Sequence, residues 1–325
     1  MIKKGRKRGM FIILCIVVFM VSIGLGVVSK VAYDPTHGKY TAKWDESVGT
    51  TYSDMTYQSS HGNDDYHKFD LYVPSDNSKE SYGLIVYLHA GGFTTGDKLD
   101  DKKTLEYYAS KGYVTAGINY TLRTEDNPNA NVYTQSMEIK EAVPFVIEKA
   151  KELGYNIDEM TISGGSAGGC LALIYAYRDA NTSPVPVKMV FEAVGPSSFY
   201  PEDWTNYGFD QHLDAAAGLF SVMTGKEITK DMFGTKEYDE LVKETSALLW
   251  VNENTVPTVM AYGKHDTVQP YLASKRLDEA LTKHNVDHKY FVLEHSGHGL
   301  QNDTKQSMEY FDTVEEYLNK YMPVK

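Results

Sequence analysis

The feature that most narrows the fold of this chain is an alternation. From residue 67 onward, short β-branched and aromatic runs appear: "HKFDLYV", "GLIVYLH", "YVTAGINY", "MTIS", "VKMVFEAV", "TVMAYG" and "KYFVLEH". Between and after them lie amphipathic helix patterns, "KTLEYYASKG", "SMEIKEAVPFVIEKAKELG", "AGGCLALIYAYRDA", "YLASKRLDEALTKHN" and "SMEYFDTVEEYLNKYM". Strands separated by helices build βαβ units. Strands apolar along their whole length belong to a mostly parallel sheet covered on both faces. An α/β fold is expected, and 325 residues that are 42% hydrophobic suffice to bury such a sheet. One connection breaks the rhythm: residues 197–254 hold no clear strand but several aromatic and helical pieces, "FYPEDWTNYGF" and "DAAAGLFSVMTG". An insertion of that length reads as a cap over a site, with extra core helices as the other reading.

The first thirty residues follow a different rule. Lys3, Lys4, Arg6, Lys7 and Arg8 form a basic tail, residues 1–9, ahead of "MFIILCIVVFMVSIGLGVV", which carries no charge. As a helix this run comes close to spanning the ~30 Å hydrocarbon layer. A transmembrane signal-anchor over residues 10–29 is expected, with the basic end in the cytoplasm and the remainder outside. A cleaved signal peptide and a secreted product are the competing reading, although such peptides have shorter apolar cores of about 7–15 residues. Residues 30–60 read as a polar stalk ending in an edge strand near 55–58, and residues 61–325 as the folded domain. Only two cysteines occur, Cys15 in the apolar run and Cys170 in the body, so the exported domain has no internal disulfide to lean on. Set apart from the five basic residues of the tail, the formal charge falls from −12 to −17, which argues against nucleic acid or an anionic surface as a partner.

The stretch "TISGGSAGGC" supplies the chemistry. A strand, "MTIS", gives way to a helix within two or three residues, and Gly164 and Gly168 let the two approach without a clash. Ser166 is then held at the carboxyl end of the sheet and the head of a helix. A glycine-rich phosphate loop is the alternative, but neither G-x-x-x-x-G-K-[ST] nor G-x-G-x-x-G spacing is present.

A serine hydroxyl needs a base within hydrogen-bond reach, and that base needs a carboxylate to orient it. In folds that present a serine on such an elbow the chain order is Ser, then Asp or Glu, then His. "LEHSGHGL" ends the last apolar strand and offers His298 between two glycines, expected to lend the ring freedom to swing into the crevice; His295 is the second candidate. "TVMAYGKHDTVQP" places Asp266 just past a buried strand, whereas Glu294 and Asp303 lie on the wrong side of His298. The loop "LHAGGF" closes an earlier strand and offers the backbone N–H groups of Gly91 and Gly92, with Ala167 supplying a third, as donors to an oxyanion. His89 in that loop reads as a residue that shapes it.

These motifs resemble those of α/β-hydrolases, and among them the hormone-sensitive-lipase-like carboxylesterases. That family pairs an H-G-G-G loop with G-D-S-A-G-G at the elbow; here they read "HAGGF" and "GGSAGG". "INYTLR" and "NIDEMTISGGSAGG" are similar to its neighbouring segments, and the likeness covers roughly residues 67–320. It implies an α/β-hydrolase fold with a cap, and a carboxylesterase that cleaves small or short-chain acyl esters through Ser166, His298 and Asp266. No cofactor and no metal are implied, since no Cys, His or carboxylate cluster has ligand spacing. The expected partners are a small-molecule ester and, through the N-terminal helix, a membrane. Two departures stand out: Ala90 replaces a glycine of the loop, and Gly165 replaces the aspartate before the nucleophile. The family cap also draws on N-terminal helices, a region that here is anchor and stalk. Phe93, Tyr200, Trp204 and Tyr207 either line the pocket or form the core of the insertion. An exopeptidase of the same fold, and a catalytically silent surface binding protein on this scaffold, are the rival readings.

Overall fold

The computed structural model describes residues 38–325, together with 20–22. Eight strands form one sheet: β1 (Gly49–Thr56), β2 (Lys68–Pro74), β3 (Tyr82–Leu88), β4 (Val114–Ile118), β5 (Ile157–Gly165), β6 (Val187–Ala193), β7 (Thr258–Gly263) and β8 (His288–Leu293). Their spatial order is β1-β2-β4-β3-β5-β6-β7-β8. Strand β2 runs antiparallel to both its neighbours, while β3 to β8 pair in parallel. The alternation in the sequence thus becomes a mostly parallel sheet with one reversed strand near its edge.

Seven α-helices are described: α1 (Lys102–Ser110), α2 (Val132–Glu152), α3 (Ala167–Ile174), α4 (Leu213–Thr224), α5 (Lys236–Val242), α6 (Tyr271–Lys283) and α7 (Thr304–Tyr321). Central strand β3 shows why its whole run is apolar. Leu84, Val86 and Leu88 pack in one core with Val143 and Val146 of α2 and Leu171 of α3. Ile85, between them, packs in a second core with Tyr108 of α1, Phe191 and Val314 of α7. Successive side chains leave a strand on opposite faces, so a sheet covered twice needs both sets apolar. Helix α2 starts where Asn131 and Thr134 cap each other's backbone.

The insertion between β6 and β7 folds around an aromatic cluster of its own: Phe199, Trp204, Phe209, Phe220 and Tyr238, with Ile228 and Val242. A buried carboxylate, Asp203, ties it to the body by accepting from Arg276 of α6 at 2.7 and 2.8 Å.

Three expectations need correction or fall outside the described residues. The stalk over 30–60 is, from residue 38 on, part of the folded body. Tyr40 is buried in the α7-side core, Trp44 packs beside Tyr72, and the edge strand lies at Gly49–Thr56 rather than near 55–58. The basic tail and nearly all of the span expected over 10–29 lie outside the described residues; among the described residues no helix is long and apolar enough to cross a membrane. Finally, the glycines flanking His298 are not where backbone freedom is used, as the site shows below.

Candidate active site

Strand β5 ends at Gly165 and helix α3 begins at Ala167, so Ser166 makes the whole turn. Its backbone sits at φ 53° and ψ −118°, a strained conformation for a residue with a side chain, of order 1–3 kcal/mol. Two backbone hydrogen bonds hold it there: Ser166 N–H donates to the Ala193 carbonyl (2.8 Å), and Cys170 N–H donates to the Ser166 carbonyl (3.0 Å). Close approach at two glycines makes the turn possible. A Cβ on Gly168 would stand 1.9 Å from the Leu88 carbonyl oxygen, and one on Gly164 would stand 2.4 Å from the Gly168 carbonyl carbon. Helix, nucleophile strand and the end of β3 therefore touch backbone to backbone. Gly165 differs from both, because a Cβ there meets nothing nearer than the Ala193 carbonyl oxygen at 4.0 Å.

His298 brings Nε2 to 3.0 Å from Ser166 Oγ, and its Nδ1 lies 2.8 Å from Asp266 Oδ2. A carboxylate at Nδ1 keeps the ring proton there and leaves Nε2 free to accept the serine proton. The other oxygen of Asp266 accepts from the backbone N–H groups of Val268 (2.7 Å) and Gln269 (2.8 Å), which fixes the carboxylate's direction. The three residues come from the ends of β5, β7 and β8, all at the carboxyl edge of the sheet.

The loop carrying His298 is organised by Asp303, which was set aside in the sequence as a candidate acid. Its carboxylate accepts from Ser296 Oγ (2.7 Å) and His295 N–H (2.8 Å), and its other oxygen meets His295 Nδ1 at 2.8 Å. Burial pushes the Asp303 carboxyl up, but the hydrogen bonds from Ser296 and His295 outweigh it and leave the group below its ordinary value. The second candidate, His295, therefore pairs with Asp303 at the surface and does not reach Ser166. Gly297 and Gly299 both have ordinary negative φ; the tight spot is Gly263 at the end of β7, where a Cβ would lie 2.2 Å from the Gly297 carbonyl oxygen.

On the other side of Ser166, Gly91 (φ 120°) and Gly92 (φ 59°) turn the loop after β3 through backbone conformations that side chains disfavour. The N–H groups of Gly91, Gly92 and Ala167 have no acceptor among the described residues. Buried Gln135 braces this loop: its Nε2 donates to the carbonyls of Phe93 (3.1 Å) and Thr121 (2.7 Å). No motif in the sequence marks Gln135 for that role. His89 is buried, stacked on Tyr120 at 4.2 Å, with Nδ1 against the Ala90 carbonyl (2.7 Å). Burial lowers its pKa, so it shapes the loop as a neutral ring.

Glu192 is a further residue the sequence reading passed over, although an acid inside the apolar run "VKMVFEAV" was a visible signal. Fully buried in β6, it accepts from Gly195 N–H at 2.8 Å, and its Oε2 would lie 2.9 Å from a Cβ on Gly169 of α3. Burial pushes its carboxyl up to about 8, so it is neutral behind the elbow at neutral pH.

A cavity of about 220 Å³ adjoins these parts, walled by Gly92 and Phe93, by Val268 next to the acid, by Arg123, and by Trp204 and Tyr207 of the insertion. The insertion thus forms one wall of this cavity, while Tyr200 is turned aside to donate to Asp239 (2.9 Å). Tyr207 also donates to the Val268 carbonyl (2.9 Å), tying cap to acid loop. A larger hollow of about 400 Å³, lined by Gln58, Glu141 and Pro184 among others, contains none of the residues above. Among the described residues no three His, Cys, Asp or Glu side chains gather as a metal would require.

Known proteins resemble this chain in sequence and in fold. The BD-FAE family model matches residues 69–281, a stretch holding Ser166 and Asp266. An acetyl esterase of Salmonella typhi is 31% identical over 132 residues, 40% of this chain and 35% of the relative. A non-reducing polyketide synthase of Stereocaulon alpinum is 27% identical over 142 residues, 41% of this chain and 6% of the relative. The chain thus spans about a third or less of the length of these curated relatives. Among solved structures, a truncated carbohydrate esterase from gut microbiota superposes with a TM-score of 0.65 at 18% identity, over 87% of this chain and 99% of that one. At that identity the likeness establishes the fold, an α/β-hydrolase fold.

Proposed function

Since this chain belongs to the BD-FAE family, we propose that it is a serine hydrolase of carboxylic esters acting on small acyl groups. The observation that carries the reading is the unbroken hydrogen-bond chain from Asp266 through His298 to Ser166. Ser166 Oγ attacks the ester carbonyl while His298 Nε2 takes its proton. The charge that develops on the carbonyl oxygen is met by the N–H groups of Gly91, Gly92 and Ala167, each worth on the order of 3 kcal/mol of barrier. Collapse of the tetrahedral intermediate breaks the carbon–oxygen bond, and His298 returns the proton to the departing alcohol. Water then attacks the acyl-serine with His298 again as base. The acid is released and Ser166 regains its proton. Asp266 holds the tautomer and stabilises the imidazolium that forms twice per cycle. The modest cavity and the partial likeness to an acetyl esterase support a short acyl chain.

The test is Ser166→Ala. It abolishes hydrolysis of 4-nitrophenyl acetate while the thermal unfolding midpoint stays close to that of the parent; unchanged turnover overturns the assignment.

The reading extends to location. The basic cluster followed by an uncharged apolar run supports a membrane anchor with the catalytic domain outside. Full-length protein that washes off membranes in carbonate would count against it.

A further inference from the structure

Among the described residues there are three arginines, and two are paired with carboxylates: Arg178 with Asp179 at 2.7 Å, and Arg276 with Asp203 at 2.7 Å. Arg123 is not. Its side chain makes one hydrogen bond, from Nη1 to the Ala130 carbonyl (2.9 Å), although a guanidinium carries five donors. Glu125 and Asp126 follow in the same loop, yet no carboxylate of a described residue comes within 4.0 Å of the guanidinium.

Its position gives the charge a use. Arg123 lines the 220 Å³ cavity together with Gly92 and Phe93. Its backbone N–H donates to the Phe93 carbonyl at 2.9 Å, so the cation is fixed to the same loop that offers the Gly92 donor. The other walls are largely aromatic and aliphatic, Trp204, Val222 and Val268 among them. A guanidinium in such surroundings matches a carboxylate with two parallel hydrogen bonds, and its charge is less screened there than on an open surface. The hydrogen bond to Ala130 occupies one donor, and the other four have no protein acceptor among the described residues.

We propose that the ester hydrolysed here carries a carboxylate in addition to its scissile bond, and that Arg123 binds that carboxylate. The proposal rests on the esterase reading above and narrows its substrate class.

Two matched pairs of substrates test it. 4-Nitrophenyl hydrogen adipate against 4-nitrophenyl hexanoate places the carboxylate on the acyl side, and 4-acetoxybenzoate against its methyl ester places it on the alcohol side. In the full chain, the acidic member of at least one pair is expected to have the higher kcat/KM. Arg123→Gln lowers that acidic-to-neutral ratio at least tenfold, mainly through KM, and Arg123→Lys restores part of it. The pair that responds identifies the side bearing the charge. If both neutral esters are turned over as well as or better than their acidic partners, or if the ratio is the same in Arg123→Gln, the proposal fails while the esterase reading stands. If no ester of either pair, nor 4-nitrophenyl acetate, is hydrolysed, both fall together.

Discussion

Replacing Gly168 by alanine places one methyl group where helix α3, strand β5 and the end of β3 meet. The new Cβ would lie 1.9 Å from the Leu88 carbonyl oxygen, 2.5 Å from its carbon and 2.7 Å from the His89 carbonyl oxygen. Real Cβ atoms essentially never come within 3.0 Å of such neighbours, and the atoms met are main chain, which cannot rotate aside. The helix and β3 must therefore part by roughly 1 Å. Overpacking of this kind costs about 3 kcal/mol, which for a domain of this size lowers the melting temperature by roughly 5 °C. Activity suffers further, because β3 leads directly into Gly91 and Gly92 and a displacement near 1 Å can cost about 10²-fold in rate. Gly165→Ala is the control: its Cβ has 4.0 Å of clearance, and stability should stay within about 0.5 kcal/mol of the parent. Thermal denaturation and kcat/KM on 4-nitrophenyl acetate, measured for both variants, decide the matter. A Gly168→Ala protein as stable and active as its parent, or a Gly165→Ala protein equally damaged, would refute the steric account of the elbow.

Asp266→Asn should leave the fold intact and lower kcat by on the order of 10⁴, because the oxygen fixed by Val268 and Gln269 turns the amide nitrogen toward His298 and imposes the wrong tautomer. A fall of less than tenfold in steady-state kcat would speak against that role. Glu192→Gln should change how stability depends on pH. In the unfolded chain this carboxyl ionises near its ordinary 4.5, whereas in the fold it keeps its proton to about 8. Parent stability therefore declines as pH rises from 4.5 through 8, and the neutral variant loses that part of the decline. Relative to its value at pH 5, the variant gains up to about 4 kcal/mol over the parent at pH 8. Parallel urea denaturation curves at the two pH values would contradict the burial of a protonated acid.

What the sequence disclosed was whatever depends on local pattern. Runs such as "GLIVYL" are apolar almost throughout because both faces of the sheet are covered, and that pattern is local. Ser166 was legible because an elbow needs glycines at fixed offsets, and Asp266 and His298 because each must follow a late strand. What depends on distant partners was hidden. Tyr40 packs against α7, some 270 positions away, so residues after 38 read as stalk. Strand β1, half exposed and polar in "GTTYSDMT", lacks the apolar alternation that would have fixed its limits. The clasp of Asp303 on Ser296 and His295 is a property of a folded loop, and its neighbourhood to His298 suggested only a competing acid. Gly263 had no signal at all, since its need for a bare backbone comes from a loop over thirty residues later.

The cap's separate aromatic cluster has a consequence for how such a protein diversifies. Its largest side chains consolidate one another, and bonds such as Arg276 to Asp203 and Tyr207 to Val268 fasten it to the hydrolase body. An element with a core of its own can be exchanged as a unit provided that its seam with the body, where Met223, Ala247, Leu248 and Trp250 pack on the main core, is kept. Its residues facing the cavity, Trp204, Tyr207 and Val222, can change to admit a new substrate while the sheet and elbow keep their geometry. Chimaeras exchanged between β6 and β7 are accordingly the natural route to altered specificity in this scaffold.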